Sequence, residues 1–207
     1  MFDSGISVKT LVDELISEVD IALDIPNATY VQWLNSLQQL LYTEVIKEQK
    51  KKAFNSLIVN NVIDISSIAE TGENTPKFED IHAVYATFGA DNIQLIKTTV
   101  ASGAIFTNAF YKDDNKLAFH TKGIPTEITI VYFVKPALVK VSENDEISDS
   151  NVMVPLEFID LVKAKLRGEA YKLANEDNLA AKWLNDYNIL LETFKAWISE
   201  KSPNFGM

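Results

Sequence analysis

The chain has 207 residues, 47% of them hydrophobic, with 29 acidic against 19 basic side chains and a formal charge of −10. That length supports one large or two small domains with a real core, while the charge argues against a broad phosphate-binding surface, which needs Lys and Arg. Cysteine is absent, which excludes disulfides, thiolate metal sites and thiol nucleophiles.

Nowhere do roughly 18 apolar residues run together as a membrane span requires. The opening "MFDSGISVKT" carries an early acid and no basic patch leading into an apolar run, so the chain reads as soluble and unsecreted. Ser7 can cap a first helix, which Leu11, Leu15, Ile16, Val19 and Ala22 predict to run to about Asp24. Pro26 breaks the chain, and a second helix is predicted from Asn27, with Tyr30, Trp33, Leu34, Leu37, Leu41 and Val45 at helical spacing. So short a link predicts an antiparallel helical hairpin. Lys47, Lys50, Lys51 and Lys52 then read as closing that helix against its negative end, the alternative being a phosphate contact.

Beyond Lys52 the pattern changes. "FNSLIVNNVIDISSI" is rich in β-branched residues and predicts one or two strands, and "TGENTPKFED" reads as a loop. "IHAVYATFG" and "IQLIKTTVASGAIF" continue the strand pattern. The apolar runs on either side of Asp113, Asp114 and Asn115 predict a hairpin. "EITIVYFVKPALV" alternates at Ile128, Ile130, Tyr132 and Val134 and predicts a strand stopped at Pro136. About five or six strands can be counted in this way. The acidic "SENDEISDS", Ser142 to Ser150, reads as a solvated connection.

Pro155 suits a first helical position, and Leu156, Ile159, Val162, Leu166, Ala170 and Leu173 predict a third helix broken near Asn175. Glu176 and Asp177 favour the positive start of a fourth, whose stripe is Leu179, Trp183, Tyr187, Leu190, Phe194 and Trp197. That stripe reads as core rather than a ligand platform, or in part as a subunit interface. Gly168, inside the third helix, marks either a close helix contact or simple tolerance. The predicted fold class is α+β: amino- and carboxy-terminal helices packed together as a helical bundle with an inserted antiparallel β-region. The expected domains are residues 1–52 with 153–207, helical, and residues 53–152, β-rich.

No catalytic constellation emerges. His82 and His120 lack ligand spacing and read as structural histidines on a sheet. The adjacent pairs Asp113 with Asp114 and Asp145 with Glu146 read as turn and surface residues, since acid/base work needs convergent carboxylates. The seven glycines are dispersed and form no phosphate cradle, and no Gly-x-Ser-x-Gly elbow is present. The reading is of a protein that is not an enzyme, with no catalytic, cofactor-binding or metal residues and no cofactor.

The carboxy-terminal "VYFVKPALV", the acidic connection and "VPLEFIDLVKAKLRGEAYKLANEDNLAAKWLNDYNILLETFKAWI" together resemble the closing section of bacteriophage head-to-tail adaptor (connector) proteins of the tail tubular protein A class. Pro136, Pro155, Gly168, Glu169, Tyr171, Trp183, Tyr187 and Phe194 stand at the positions that carry the likeness. The amino-terminal "VKTLVDELISEVDIALDIPNATYVQWLNSLQQLLY" resembles the opening helices of the same class. The resemblance implies a non-enzymatic virion part in the neck, made in the bacterial host cytoplasm. It would form a ring, commonly twelvefold, between the portal protein and the tail proteins, with DNA passing through the ring and no membrane partner. An acidic wall suits such a passage, because DNA slides past it without sticking. The rival expectation is a small non-enzymatic binding module whose β-domain holds a carbohydrate or peptide.

Overall fold

The computed structural model describes residues 1–21, 23–55, 62–71, 73–99 and 106–201. The fold is mixed α+β, and the chain divides into two compact units, Met1–Ile46 with Leu138–Met207 and Lys47–Ala137. The boundaries expected at Lys52/Ala53 and Val152/Met153 differ from these for two reasons. The lysine run forms a strand of the second unit, and the stretch after Ala137 is fastened to a helix of the first.

In the first unit, α1 is Val8–Glu18, and the Ser7 hydroxyl caps it by accepting the Thr10 N–H. It ends earlier than the spacing predicts. Val8, Leu11, Val12 and Leu15 form the buried stripe, Ile16 is 47% exposed, and Val19 enters the core from extended backbone beyond the helix end. Ala22 lies outside the described residues. Helix α2, Asn27–Leu40, buries Tyr30, Val31, Leu34, Leu37 and Gln38, and its last turn widens into a π-turn over Leu41–Ile46 that carries Tyr42 inward. Lys47, at φ 48°, ends the helical path.

Helix α2 begins at Pro26, which has no side chain able to cap it. The Asp145 carboxylate serves instead, accepting the Asn27 and Ala28 N–H groups at 3.0 Å each, where a negative charge meets the positive helix start. The acidic stretch is a folded turn, and most of its residues stay exposed as a solvated connection requires: Val141 bridges Ile147, and Asp145 adopts φ 62°. Further along α2, the Asn35 side chain accepts from the Val139 N–H and donates to its carbonyl, both at 2.9 Å. Gln38, 1% exposed, accepts the Met153 N–H at 2.6 Å.

Pro155 precedes a 3₁₀ turn, Leu156–Phe158, so it caps the approach to α3, Ile159–Leu173, rather than opening the α-helix. Leu156 and Leu173, expected on the buried face, are 55% and 49% exposed, while Leu161, Val162, Leu166 and Ala170 are buried. Asn175 takes φ 61°, its N–H bonding to Lys172 and the next N–H to Tyr171, an ending that satisfies the last carbonyls. Helix α4, Asp177–Lys201, buries Ala180, Tyr187, Phe194 and Ile198, whereas Leu179 is 40% exposed. Helix α3 packs along α4 and also touches α1 and α2. Phe158, Phe194, Trp197 and Phe2 form a ring cluster with centroid separations from 4.8 Å upward.

In the second unit, β1 (Gln49–Asn55), β8 (Glu127–Phe133), β3 (Ile81–Phe88) and β4 (Asp91–Gln94) form an antiparallel sheet in that order. Lys50, Lys51 and Lys52 thus lie on an edge strand, which corrects their reading as a helix end. Ile128, Ile130 and Tyr132 are buried along β8, as alternation requires, and so are Val131 between them and Val134 just beyond the strand. A second sheet orders β2 (Val62–Asp64), β7 (Lys116–His120), β6 (Ala109–Asp113) and β5 (Ile96–Thr98). Asp114, at φ 55°, turns the β6–β7 hairpin. The β5–β6 pair is parallel, so the β-region is not wholly antiparallel. Eight strands lie among the described residues, more than the count from sequence. The predicted strand residues Ser56–Asn61 and Val100–Ile105 lie outside the described residues.

Gly168 packs face to face with α4. A Cβ there would stand 2.8 Å from Cγ and Cδ2 of Leu184 and 3.4 Å from its backbone nitrogen. Alanine at this site gains about 1 kcal/mol of helix propensity but forces an overpacked contact that costs about 1–3 kcal/mol. Gly168→Ala is therefore expected to lower the melting temperature in the native background and to raise it beside Leu184→Ala. The same sign in both backgrounds contradicts the contact.

Candidate functional site

The residue types singled out for chemistry do not converge. His82 sits at the bulge between Ile81 and Ala83, exposed, its ring 5.5 Å from that of Phe133. His120 ends β7 in the other sheet, its Nδ1 2.7 Å from the Phe106 carbonyl. Among the described residues no three His, Cys, Asp or Glu side chains come together as a metal cluster. Asp113 and Asp114 stand at the hairpin turn. Asp145, read from sequence as a surface residue, is the cap of α2.

The densest electrostatic arrangement joins β1, β8 and the loop before β3. The Glu73 side chain is 1% exposed, and Lys50 Nζ lies 2.6 Å from its Oε1 and 2.6 Å from Glu70 Oε2. The Tyr132 hydroxyl donates to Glu73 Oε2 at 2.9 Å, and the Glu70 N–H donates to the same oxygen at 3.1 Å. Burial pushes the Glu73 carboxyl up, but the Lys50 ammonium, the Glu70 N–H and the Tyr132 hydroxyl outweigh it and hold the group below its ordinary value. Hydrogen bonds to Glu70 and Glu73 raise Lys50. Burial, then the bond to Glu73, raises Tyr132. The Lys50 ammonium and the Tyr132 hydroxyl are both turned toward the Glu73 carboxylate, so the cluster holds the loop against the sheet. Nearby, Lys135 pairs with Asp80 at 2.6 Å.

Of the concave surfaces among the described residues, two that lie each within one unit have charged side chains beside aromatic ones. In the β-unit a cleft of about 590 Å³ is lined by Asp64, Ser66, Lys77, Phe78, Glu79 and Lys112, among others. Its charges balance, and Asp64 is already engaged by the Ser66 N–H and hydroxyl at 2.9 and 2.7 Å. The Phe78 ring meets Phe110 edge-on and carries Lys97 Nζ 4.5 Å from its centroid, so it offers no free platform for a sugar.

In the helical unit a groove of about 470 Å³ runs between α3 and α4, lined by Asp160, Ala164, Arg167, Trp183, Asp186, Ile189 and Leu190. Arg167 stacks on Trp183 at 4.6 Å and pairs with Glu18, which spends the chain's one guanidinium on structure. Ile189 is 60% exposed. The aromatic stripe of α4 is therefore core at Tyr187 and Phe194 and surface-lining at Trp183 and Leu190. The groove thus combines an apolar floor with the carboxylates of Asp160 and Asp186.

Sequence reasoning missed Glu73, Asn35 and Gln38. A signal existed for Gln38, which falls four residues after Leu34 on the buried stripe of α2, where a polar side chain must find a partner. Tyr132 gave a similar one, a hydroxyl on the core face of β8. No model of a known protein family matches the chain, and no curated protein matches it. Among the described residues no helix is long and apolar enough to cross a membrane.

The Glu73 cluster sets a pH window. Its carboxyl is lowered from 4.5, so its contribution is present above pH 4.5 and is lost as pH falls through the folded-state value. Tyr132 is raised from 10.0 and Lys50 from 10.5, so their contributions are whole below pH 10 and are lost as pH rises. Urea unfolding followed at β-strand amides should show a stability plateau between these limits, and Glu73→Gln should flatten its acid limb. An unchanged acid limb in that variant contradicts the assignment.

Proposed function

We propose that the protein is a head-to-tail adaptor of a tailed bacteriophage, a non-enzymatic structural part of the virion neck that joins the portal protein to the tail. In this reading it assembles, after synthesis in the host cytoplasm, as a ring, commonly twelvefold, through which DNA passes without sequence-specific contact. Helices α1 to α4 form one helical bundle that carries the β-unit as an insertion.

The observation that carries the reading is the shared core of the two chain ends. Leu11, Leu34, Val162 and Phe194 belong to one buried cluster, although the β-unit separates them in sequence. That is the order of elements in the adaptor class the ends resemble. Two further features support it. The open groove between α3 and α4 leaves apolar surface for a neighbour, and the acidic chain suits a wall along which DNA slides. The rival reading, a carbohydrate- or peptide-binding module, rests on the β-unit cleft, whose single ring is already covered.

Particle imaging tests the proposal. The isolated protein is expected to be mostly monomeric at micromolar concentration, because a ring contact that closes on a portal template can be weak in free solution. In virions it is expected as a symmetric ring below the portal. Absence of the protein from the neck of particles that encode it defeats the adaptor assignment.

A further inference from the structure

The charges of this acidic chain are distributed so that one basic edge and one acid-walled groove stand without partners. On β1, Lys51 is exposed and Lys52 half-buried, and Lys47 is exposed just before the strand. None of the three has an ion pair among the described residues, whereas Lys50 is committed to Glu70 and Glu73. A lysine run on an edge strand opposes the addition of another strand, because two such edges repel. What it attracts is carboxylate.

The groove between α3 and α4 supplies it. Asp160 is exposed and Asp186 half-buried, and neither has an ion pair among the described residues. Arg167 in the same groove is neutralised by Glu18 and Lys182 Nζ stands 5.0 Å from the Trp183 ring centroid, so the unpaired carboxylates of Asp160 and Asp186 flank the apolar surface of Ile189 and Leu190. Phe54, half-buried on the same face of β1 as Lys52, and the lysine stems offer the apolar counterpart, while Lys51 projects from the opposite face of the edge.

We propose that the α3–α4 groove of one copy receives the Lys51–Lys52 edge of β1 from a second copy. One face meets a different face, which is the heterologous contact a ring requires. The occupant is chosen by complementary charge, and the contact rests on the ring reading for its closure. Exposed ion pairs are individually weak and screened by salt, so the contact forms transiently between free molecules and persists when a template holds the copies adjacent.

A carbodiimide, which joins a carboxylate to an amine only where they touch, tests this on the full chain with equal amounts of isotopically labelled and unlabelled protein at low salt. Interchain amides are expected between Lys51 or Lys52 and Asp160 or Asp186. Lys51→Glu with Lys52→Glu should lower dimer yield about tenfold, as should Asp160→Lys with Asp186→Lys. Mixing the two variants should restore it, because each then offers the complement the other lacks. Both variants change surface positions, and the restored mixture shows that each is folded. Wild-type yield from either variant, or no recovery on mixing, overturns the contact. A ring in particle images built from the Lys51→Glu, Lys52→Glu chain also overturns it while leaving the adaptor reading intact. Absence of the wild-type protein from the neck defeats the adaptor reading and leaves the cross-linking result standing.

Discussion

The returning chain is fastened to helix α2 by side chains, and the first unit depends on that attachment. After the β-unit, the polypeptide re-enters as an extended segment with no strand partner along Val139, and its N–H and C=O cannot be left unpaired once buried. Asn35 answers both with one carboxamide. Gln38 takes the Met153 N–H one helical turn on, and between them the turn that carries Asp145 folds back to cap the helix. A hydrogen bond of this kind contributes about 1 kcal/mol net, while a buried group left without its partner costs about 1–3 kcal/mol. The asymmetry makes the three contacts a positional constraint more than a source of stability.

That constraint explains how a fold can carry so large an insertion. The entropy of closing a loop grows only slowly with its length, so the helical core tolerates a second unit between Ile46 and Leu138 provided both crossing points are held. The π-turn at Leu41–Ile46 defines the exit, with the Tyr42 hydroxyl receiving the Phe2 N–H at 2.9 Å. The Asn35 clamp defines the return. Each unit then keeps its own polar network. Their surfaces carry an acid-walled groove in the helical unit and a lysine edge in the β-unit, on a chain of net charge −10.

Much of the helical architecture is legible from apolar spacing, because Leu11 and Leu15, Leu34 and Leu37, Val162 and Leu166, and Tyr187 and Phe194 recur at intervals that a helix places on one face. The same spacing misplaces Ile16, Leu156 and Leu173, which occupy the stripe in sequence but stand about half exposed. Lysines 50 to 52 have good helix propensity, and pairing with β8 overrides it. The short strands β4 and β5 and the parallel β5–β6 pairing have no local signal, since tertiary contact alone defines them. Gly168 was readable as a question, and Leu184 answers it. The clamps were the hardest to read: a sequence shows that Gln38 is polar on an apolar stripe, but not which backbone group, more than a hundred residues away, it meets.

The most direct test of this account is hydrogen exchange at the Val139 amide in the wild type and in Asn35→Ala. With the clamp in place, Val139 should exchange as slowly as buried amides of α2. Without it, Val139 should exchange with the speed of an open loop, while α2 amides lose only the protection that corresponds to about 1–3 kcal/mol. A Val139 amide that exchanges rapidly in the wild type, or one whose protection Asn35→Ala leaves unchanged, contradicts the claim that α2 holds the returning chain.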